Sequence, residues 1–436
     1  MRIAIIGTGV GGLGAAHRLH RQHELTLFEA GDYVGGHTAT VDVEVAGRQW
    51  AVDTGFIVFN DWTYPNFVRL LQELQVPSQR SDMSFSLRCE RTGFEYNGTS
   101  LNTLFAQRRN LLRPSYLRML TEILSFNSRA QRDAGQEDPH LTLADYLRLH
   151  GYSQRLVRQY LVPMGRAIWS ASESAMLSFP ARFFIDFFRR HGFLSYNDRP
   201  EWLAVRGGSR SYVTTLTAPF RNRIRLQTPV TGVRRTAGGV VIRSGVGQVE
   251  TFDAVLFACH SDQALRLLEE PTSLEQEVLS AFPYETNEVL LHTDARLLPR
   301  APLARAAWNY HALEREQNAV AVTYDMNVLM SLPAPVRFLV TMNRTADVAP
   351  ESVLRSFRYE HPVYTPKAVQ SQRRHAEISG VNRTFYAGAY WGAGFHEDGL
   401  VSGYRAAEQI EHLAAHRNAG EPVKALDACS GHLAIA

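Results

Sequence analysis

The feature that most narrows the fold of this chain is Gly7-Thr8-Gly9-Val10-Gly11-Gly12, directly behind a short apolar run from Arg2 to Ile6. Glycines at this spacing between a strand and a helix have separate physical tasks. Gly7 permits a tight turn, Gly9 lets the backbone approach a pyrophosphate, and Gly12 allows close helix–strand packing. The helix start then presents unpaired N–H groups and the positive end of its dipole to phosphate. Residues 24–29 (ELTLFE) alternate as a second strand, and Glu29 stands 22 residues after Gly7. An acid there accepts hydrogen bonds from the 2′-hydroxyl of an unphosphorylated adenosine ribose. Strand, glycine turn, a helix over residues 15–22, second strand and terminal acid together predict a dinucleotide-binding βαβ unit.

Composition sets the outer bounds. A chain of 436 residues is long for a single core and suits two domains. With 45% hydrophobic and 20% charged residues it reads as an ordinary globular protein. A net charge of +3 is too balanced to argue for nucleic acid. No apolar run approaches the roughly 18–20 residues that span a bilayer, and the N-terminus reads as a strand and not as a signal peptide. Cys89, Cys259 and Cys429 are far apart and lack metal or redox spacing, so we expect no metal site, no disulfide framework and a cytoplasmic setting. Lysine occurs twice, at Lys367 and Lys424. Mechanisms that need an amine therefore have few candidates.

Further along, residues 42–53 form a hairpin pattern turning at Ala46-Gly47, and residues 64 to about 195 look mostly helical. Thr142 is a fitting N-cap for a helix over 141–149, and the arginine-rich stretch 110–137 reads as partly exposed. Strands are expected at 206–209, 223–227, 239–244 and 254–259, and a second sheet at 287–293, 319–324 and 337–341. A last strand at 384–386 leads through another glycine turn into a helix at about 401–416, and the tail from 418 reads as loosely ordered. The fold class is α/β. It comprises a discontinuous Rossmann-type domain over 1–75, 205–285 and 375–417, and an inserted α+β domain over 76–204 and 286–374.

Gly35-Gly36-His37-Thr38, six residues after Glu29, and Asp53-Thr54-Gly55-Phe56-Ile57 after the hairpin resemble the second glycine signature of the flavin amine oxidase and phytoene desaturase superfamily. That family has a glutathione-reductase-like FAD-binding fold. The resemblance continues at Pro229-Val230, where the family uses backbone contacts to adenine, and at AVLFACHSDQAL (254–265). It closes at FYAG (385–388) and GFHEDGLVSG (394–403), the motif that ends in a helix pointing at the flavin. The implied cofactor is non-covalent FAD. The implied contacts are Gly7, Gly9, Gly11, Gly12, Glu29, Gly36, His37, Thr38, Gly55, Phe56, Ile57, Val230, Gly388, Leu400 and Val401. Three departures stand out. His37 occupies the family's arginine position and Ala389 that of an acid, and the strand at 287–293 lacks the lysine many amine oxidases hold near flavin N5.

A narrower resemblance is carried by PMGRAIWS (163–170), WLAVRGGSRSYV (202–213), TYDMN (323–327), YEHPVY (359–364) and GAYWGAGFHEDGLVSG (388–403). These strings look like a group of bacterial flavoproteins similar to the N-terminal oxidase-like domain of plant cyclopropane fatty acid synthases. That resemblance implies a lipid acyl substrate, either unsaturated, methyl-branched or cyclopropane-bearing, and an oxidoreductase passing a hydride to flavin N5 as a desaturase. An acyl double-bond isomerase, an amine oxidase, and a non-catalytic flavoprotein partner of a lipid methyltransferase stand as alternatives. The acid–base candidates are His396 and Glu397, with His361 and Tyr364 behind them, and Phe395 is a candidate for the substrate side of the flavin. Residues 179–194 (FPARFFIDFFRRHGFL) put four phenylalanines on one helical face and arginines around the other. This pattern reads either as a core helix or as a contact with the inner face of a membrane or with an acyl chain.

Overall fold

In the computed structural model, which describes residues 1–135, 138, 140–245, 247–314 and 320–419, the first apolar runs are strands buried on both faces. Arg2–Ile6 pairs in parallel with Glu24–Phe28 on one side and with Ala254–Phe257 on the other. Ile224–Arg225 and Thr384–Tyr386 complete a five-stranded parallel sheet. Helices cover a parallel sheet on both sides, so its strands read as continuous apolar runs. Its strands come from four distant stretches of the chain. A three-stranded antiparallel sheet (Val230–Thr236, Gly239–Ser244, Gln248–Phe252) lies beside it.

The first helix, Val10–Leu19, begins inside the glycine run and not at residue 15. Glycine is poor in helices, but here packing overrides propensity. A Cβ on Gly403, in the last helix His396–Ala419, would lie 2.1 Å from the Gly11 carbonyl oxygen, so the two helices touch backbone to backbone. That last helix starts at His396, more than a turn before the expected 401. The Asp398 carboxylate accepts the N–H groups of Ala393 and Phe395 and secures the turn that leads into it. The hairpin Thr40–Val45/Arg48–Asp53 turns at Ala46 and Gly47, both with positive φ.

A seven-stranded sheet runs in the order Val353–Pro362, Tyr284–His292, Leu339–Met342, Val322–Asp325, Trp308–Ala312, Phe85–Cys89, Phe94–Asn97. The last two strands correct the helical reading of residues 78–97. Each is too short to set a period by itself, and Phe85–Cys89 becomes a strand by pairing in parallel with Trp308–Ala312. The strand expected at 206–209 lies instead at Trp202–Val205, between Val58–Asn60 and Ser78–Arg80, and positive-φ Gly207 and Gly208 end it. Side chains alternate across the large sheet. Val289, Tyr324, Val340 and Met342 face a cavity. Behind them His292, Thr341, Thr323 and His311 form a buried hydrogen-bonded row with links of 2.7, 2.8 and 2.9 Å. Helices over 114–190 cover the cavity face, and Thr142 caps Leu143–Leu149 by accepting the Asp145 N–H. The expected tail, with Lys424 and Cys429, lies outside the described residues.

Candidate active site

One cavity of about 660 Å³ runs between the parallel sheet and the seven-stranded sheet. Its two ends differ in what forms the wall. At the first end the wall is mostly backbone. Gly7 has φ +104°, and a Cβ there would lie 2.6 Å from the Ala258 carbonyl oxygen. A Cβ on Gly12 would sit 2.2 Å from the Gly7 oxygen, so only glycine fits either position. Gly9 differs: a Cβ there would meet nothing within 4 Å, and its face opens to the cavity. The Glu29 carboxylate accepts the Thr8 N–H (3.1 Å), the Thr8 hydroxyl (2.5 Å) and the Gly31 N–H (2.9 Å). These bonds aim it along the glycine turn and leave acceptor capacity for a further hydroxyl.

The second glycine signature folds against the first. Gly36 (φ +57°) comes so close that a Cβ on it would lie 3.1 Å from the Gly9 Cα, and Gly55 lies under the His37 carbonyl, which also accepts the Phe56 N–H. His37 lines the cavity with its Nε2 lacking a partner among the described residues, beside Tyr359 (5.2 Å between ring centres) and His361 (5.6 Å). Burial, then the neighbouring His260, pushes its pKa down to about 4, so it is a neutral imidazole at pH 7. Two bonds fix His361. Asn343 donates to the Asn287 carbonyl oxygen, which turns the Asn287 amide N–H toward His361 Nδ1 (3.0 Å). Nδ1 must then accept, and the proton sits on Nε2. His260 stacks on Tyr284 (4.4 Å) and lies 3.4 Å from Glu360, while burial raises the Cys259 thiol to about 12.

Among the residues expected at a cofactor, Gly7, Gly9, Gly11, Glu29, Gly36, His37, Gly55, Phe56, Ile57, Val230 and Gly388 line the cavity. Gly12, Thr38, Leu400 and Val401 stand behind that wall. Thr38 holds the Tyr212 hydroxyl (2.8 Å), Leu400 packs over Gly14, and the residues of the last helix that reach the cavity are His396 and Gly399. The helix start, with its free N–H groups and dipole, is therefore at the cavity wall.

The closing turn distributes its titratable groups unequally. His396 lies flat against Phe56 (3.7 Å, 10°), its Nε2 is 2.6 Å from the Tyr212 hydroxyl, and burial lowers its pKa to about 3. Glu397 does not line the cavity. Its carboxylate accepts the Asn66 and Phe67 N–H groups and the Asn66 amide, which caps the helix Pro65–Glu73. Phe395 lines the cavity and stacks on Phe187 (5.0 Å, 23°). The aromatic helix, Ala181–Arg190, turns Phe184, Phe187 and Phe188 inward around Trp169, so the core reading of that stripe holds while Phe187 also reaches the cavity.

At the second end the wall is side chain and apolar: Met83, Ile168, Phe187, Trp308, Val340 and Met342. The nearest strand, Tyr284–His292, carries no lysine, and Lys367 is exposed on Pro366–Gln372. Ser170, with φ +53°, also lines this end. Sequence reading missed Tyr284, Trp308, Tyr324, Met342 and Tyr359, because alternate residues of a strand look like core until the facing element is known.

An open glycine face over an acid-ended strand, an orphaned histidine nitrogen beside it and a helix start at the far side fit FAD. The match to known proteins agrees. Two domains of this kind around such a cavity define an FAD-dependent oxidoreductase. The chain belongs to the flavin containing amine oxidoreductase family, whose model matches residues 10–302. Among solved structures it is similar to cyclohexylamine oxidase from Brevibacterium oxydans IH-35A (TM-score 0.69, 16% identity, 95% of this chain and 99% of that one). It is also similar to a CLA-producing fatty acid isomerase from P. acnes (TM-score 0.66, 16% identity, 94% and 98%). An 89-residue stretch is 38% identical to a flavin-containing monooxygenase 1 of Arabidopsis thaliana, covering 19% of this chain and 17% of the plant protein.

Proposed function

We propose that this oxidoreductase acts on the acyl chain of a lipid, removing hydrogen from adjacent carbons to leave a double bond. The observation that carries the reading is the far end of the cavity, where apolar side chains stand in a row and no lysine is present among the described residues. An acyl chain is stabilised there by burial at roughly 25 cal/mol per Å², whereas an ammonium group would be desolvated without a partner. FAD, when bound, supplies the two-electron acceptor that the oxidation requires. The glycine turn and Glu29 would hold its adenosine and phosphate portion, and the stacked Phe395 and Phe187 line the apolar channel. In this reading the proton of the second C–H leaves to solvent, because His396, with its Nε2 engaged by the Tyr212 hydroxyl and its pKa lowered by burial to about 3, is too weak a base to keep it. Glu397 has no part in the chemistry, because its carboxylate is tied to the helix it caps. The fatty acid isomerase among the similar structures has an acyl substrate in this same fold, which supports the substrate class.

The test is an anaerobic titration of the flavin-loaded protein with unsaturated and methyl-branched phospholipids. Loss of the flavin band as lipid is added is the expected result. A lipid product formed while the band persists would replace oxidation by isomerisation. No change in either would leave a non-catalytic partner of a lipid-modifying enzyme, and peroxide formation driven by amines would restore the amine oxidase reading.

A further inference from the structure

The aromatic helix that suggested a membrane face turns its phenylalanines inward, which moves the question of a lipid-facing surface elsewhere. Among the described residues twelve large apolar side chains are exposed, and five of them fall within residues 101–124: Leu101, Leu111, Leu112, Leu117 and Leu124. Leu112 is 87% exposed and Leu101 76%, more than an isolated surface leucine needs. Leu117 and Leu124 are seven residues apart on the helix Pro114–Asp133, two turns along one face. The corner that carries the other three is cross-linked by hydrogen bonds. Arg108 donates to the Asn102 and Phe105 carbonyls, and the Tyr116 hydroxyl donates to the Leu104 carbonyl, tying Leu101–Leu104, Arg108–Leu112 and the helix start together.

The charge around these leucines is predominantly positive. Residues 101–133 contain six arginines against Glu122 and Asp133. Arg118 pairs with Glu122, but Arg108, Arg109 and Arg113 have no carboxylate within 4.0 Å among the described residues. Projecting leucines with an uncompensated arginine collar match the interfacial layer of a bilayer, apolar below and anionic at the headgroups. A protein partner would more often meet an aromatic-rich, hydrogen-bonding surface. The helix Pro114–Asp133 also packs on Ala181–Arg190, whose Phe187 lines the cavity. Leu117 and Leu124, on that helix, therefore stand one helix layer outside the cavity's Phe187.

We infer that the corner formed by residues 101–124 docks on an anionic bilayer surface, with its leucines in the acyl boundary and Arg108, Arg109 and Arg113 at the lipid phosphates. The inference rests on this surface alone and stands or falls apart from the substrate assignment. Flavin-loaded full chain is sedimented with phosphatidylcholine vesicles with and without phosphatidylglycerol. Binding to the anionic vesicles is expected, and the triple variant Leu111→Glu/Leu112→Glu/Leu117→Glu should lower the partition coefficient by about tenfold or more. Val249→Glu, at a residue 61% exposed on the strand Gln248–Phe252, should bind as wild type, and flavin absorbance confirms that both variants are folded. Equal binding by the triple variant, or no binding by wild type, overturns the proposal. A wild-type dimer that the triple variant converts to a monomer, without vesicle binding, would overturn it in favour of an interface between two copies.

Discussion

Gly9 and Met342 stand at opposite ends of one cavity, and they are needed for opposite reasons. At Gly9 the wall must be bare backbone, because a charged phosphate group is recognised by N–H groups and a helix dipole. At Met342 the wall is side chain, and in the proposed reading that wall holds an apolar substrate by area and shape. One end tolerates no added atom at certain positions, and the other has room to be redrawn. The solved structures that share this fold include both an amine oxidase and a fatty acid isomerase.

The comparison can be broken most severely at the glycine end. Gly12→Ala places a Cβ 2.2 Å from the Gly7 carbonyl oxygen, so the turn must move, with an expected loss of more than about 3 kcal/mol and of bound flavin. Gly9→Ala should leave the fold intact, since its Cβ meets no protein atom within 4 Å, yet weaken FAD by about tenfold or more by occupying the phosphate approach. Thermal melting of the apo protein and flavin titration separate the two. If Gly9→Ala melted as low as Gly12→Ala, its open face would not be the reason for glycine.

At the other end, Met342→Lys should keep the flavin band but lower the melting temperature of the flavin-loaded protein, because Met342 is buried and the ammonium would be desolvated without a partner. If the proposed acyl substrate is the right one, its turnover should fall by about tenfold or more, because a cation would line an apolar channel. Loss of flavin from this variant would show that the two ends are not separable.

The smallest effect is a graded dependence on pH. Burial holds the pKa values of His37, His191, His292 and His375 at about 4, and those of His361 and His396 at about 3. A histidine whose folded pKa lies below its unfolded value of 6.5 takes up protons more readily when unfolded. Its contribution is whole above pH 6.5 and is lost as pH falls toward 4. Asp53 and Asp398, raised to about 6 by burial, act in the opposite sense over the same range. Burial also lowers His311 and raises Glu285, Asp325 and Glu397, and because the lowered histidines outnumber the raised carboxyls the apo protein should melt lower at pH 5 than at pH 7. A flat or inverted profile would mean that the imidazoles are solvated.

The βαβ unit was legible from Gly7 to Glu29 because each glycine there answers a local backbone demand, and the cofactor followed from it and from the second glycine signature. The start of the first helix was not legible. Gly11 and Gly12 look like a turn until Gly403, nearly four hundred residues later, requires a bare helix surface opposite. Residues 78–97 failed for a related reason, since their strands exist through pairing with Trp308–Ala312 and with Trp202–Val205. At the closing turn, HEDG (396–399) reads as three equivalent titratable residues, and only packing distinguishes them. His396 faces the cavity against Phe56, while Glu397 caps Pro65–Glu73 and Asp398 fastens the turn before the last helix.

The sequence by itself determined the cofactor end, because phosphate recognition is written in short runs of glycine whose backbone geometry is set by immediate neighbours. Only the tertiary structure decided the substrate end and the exposed surface. A wall built from alternate residues of several strands, and a leucine that either packs or projects, is defined by what lies across from it, and that partner is chosen by long-range pairing that no local pattern carries.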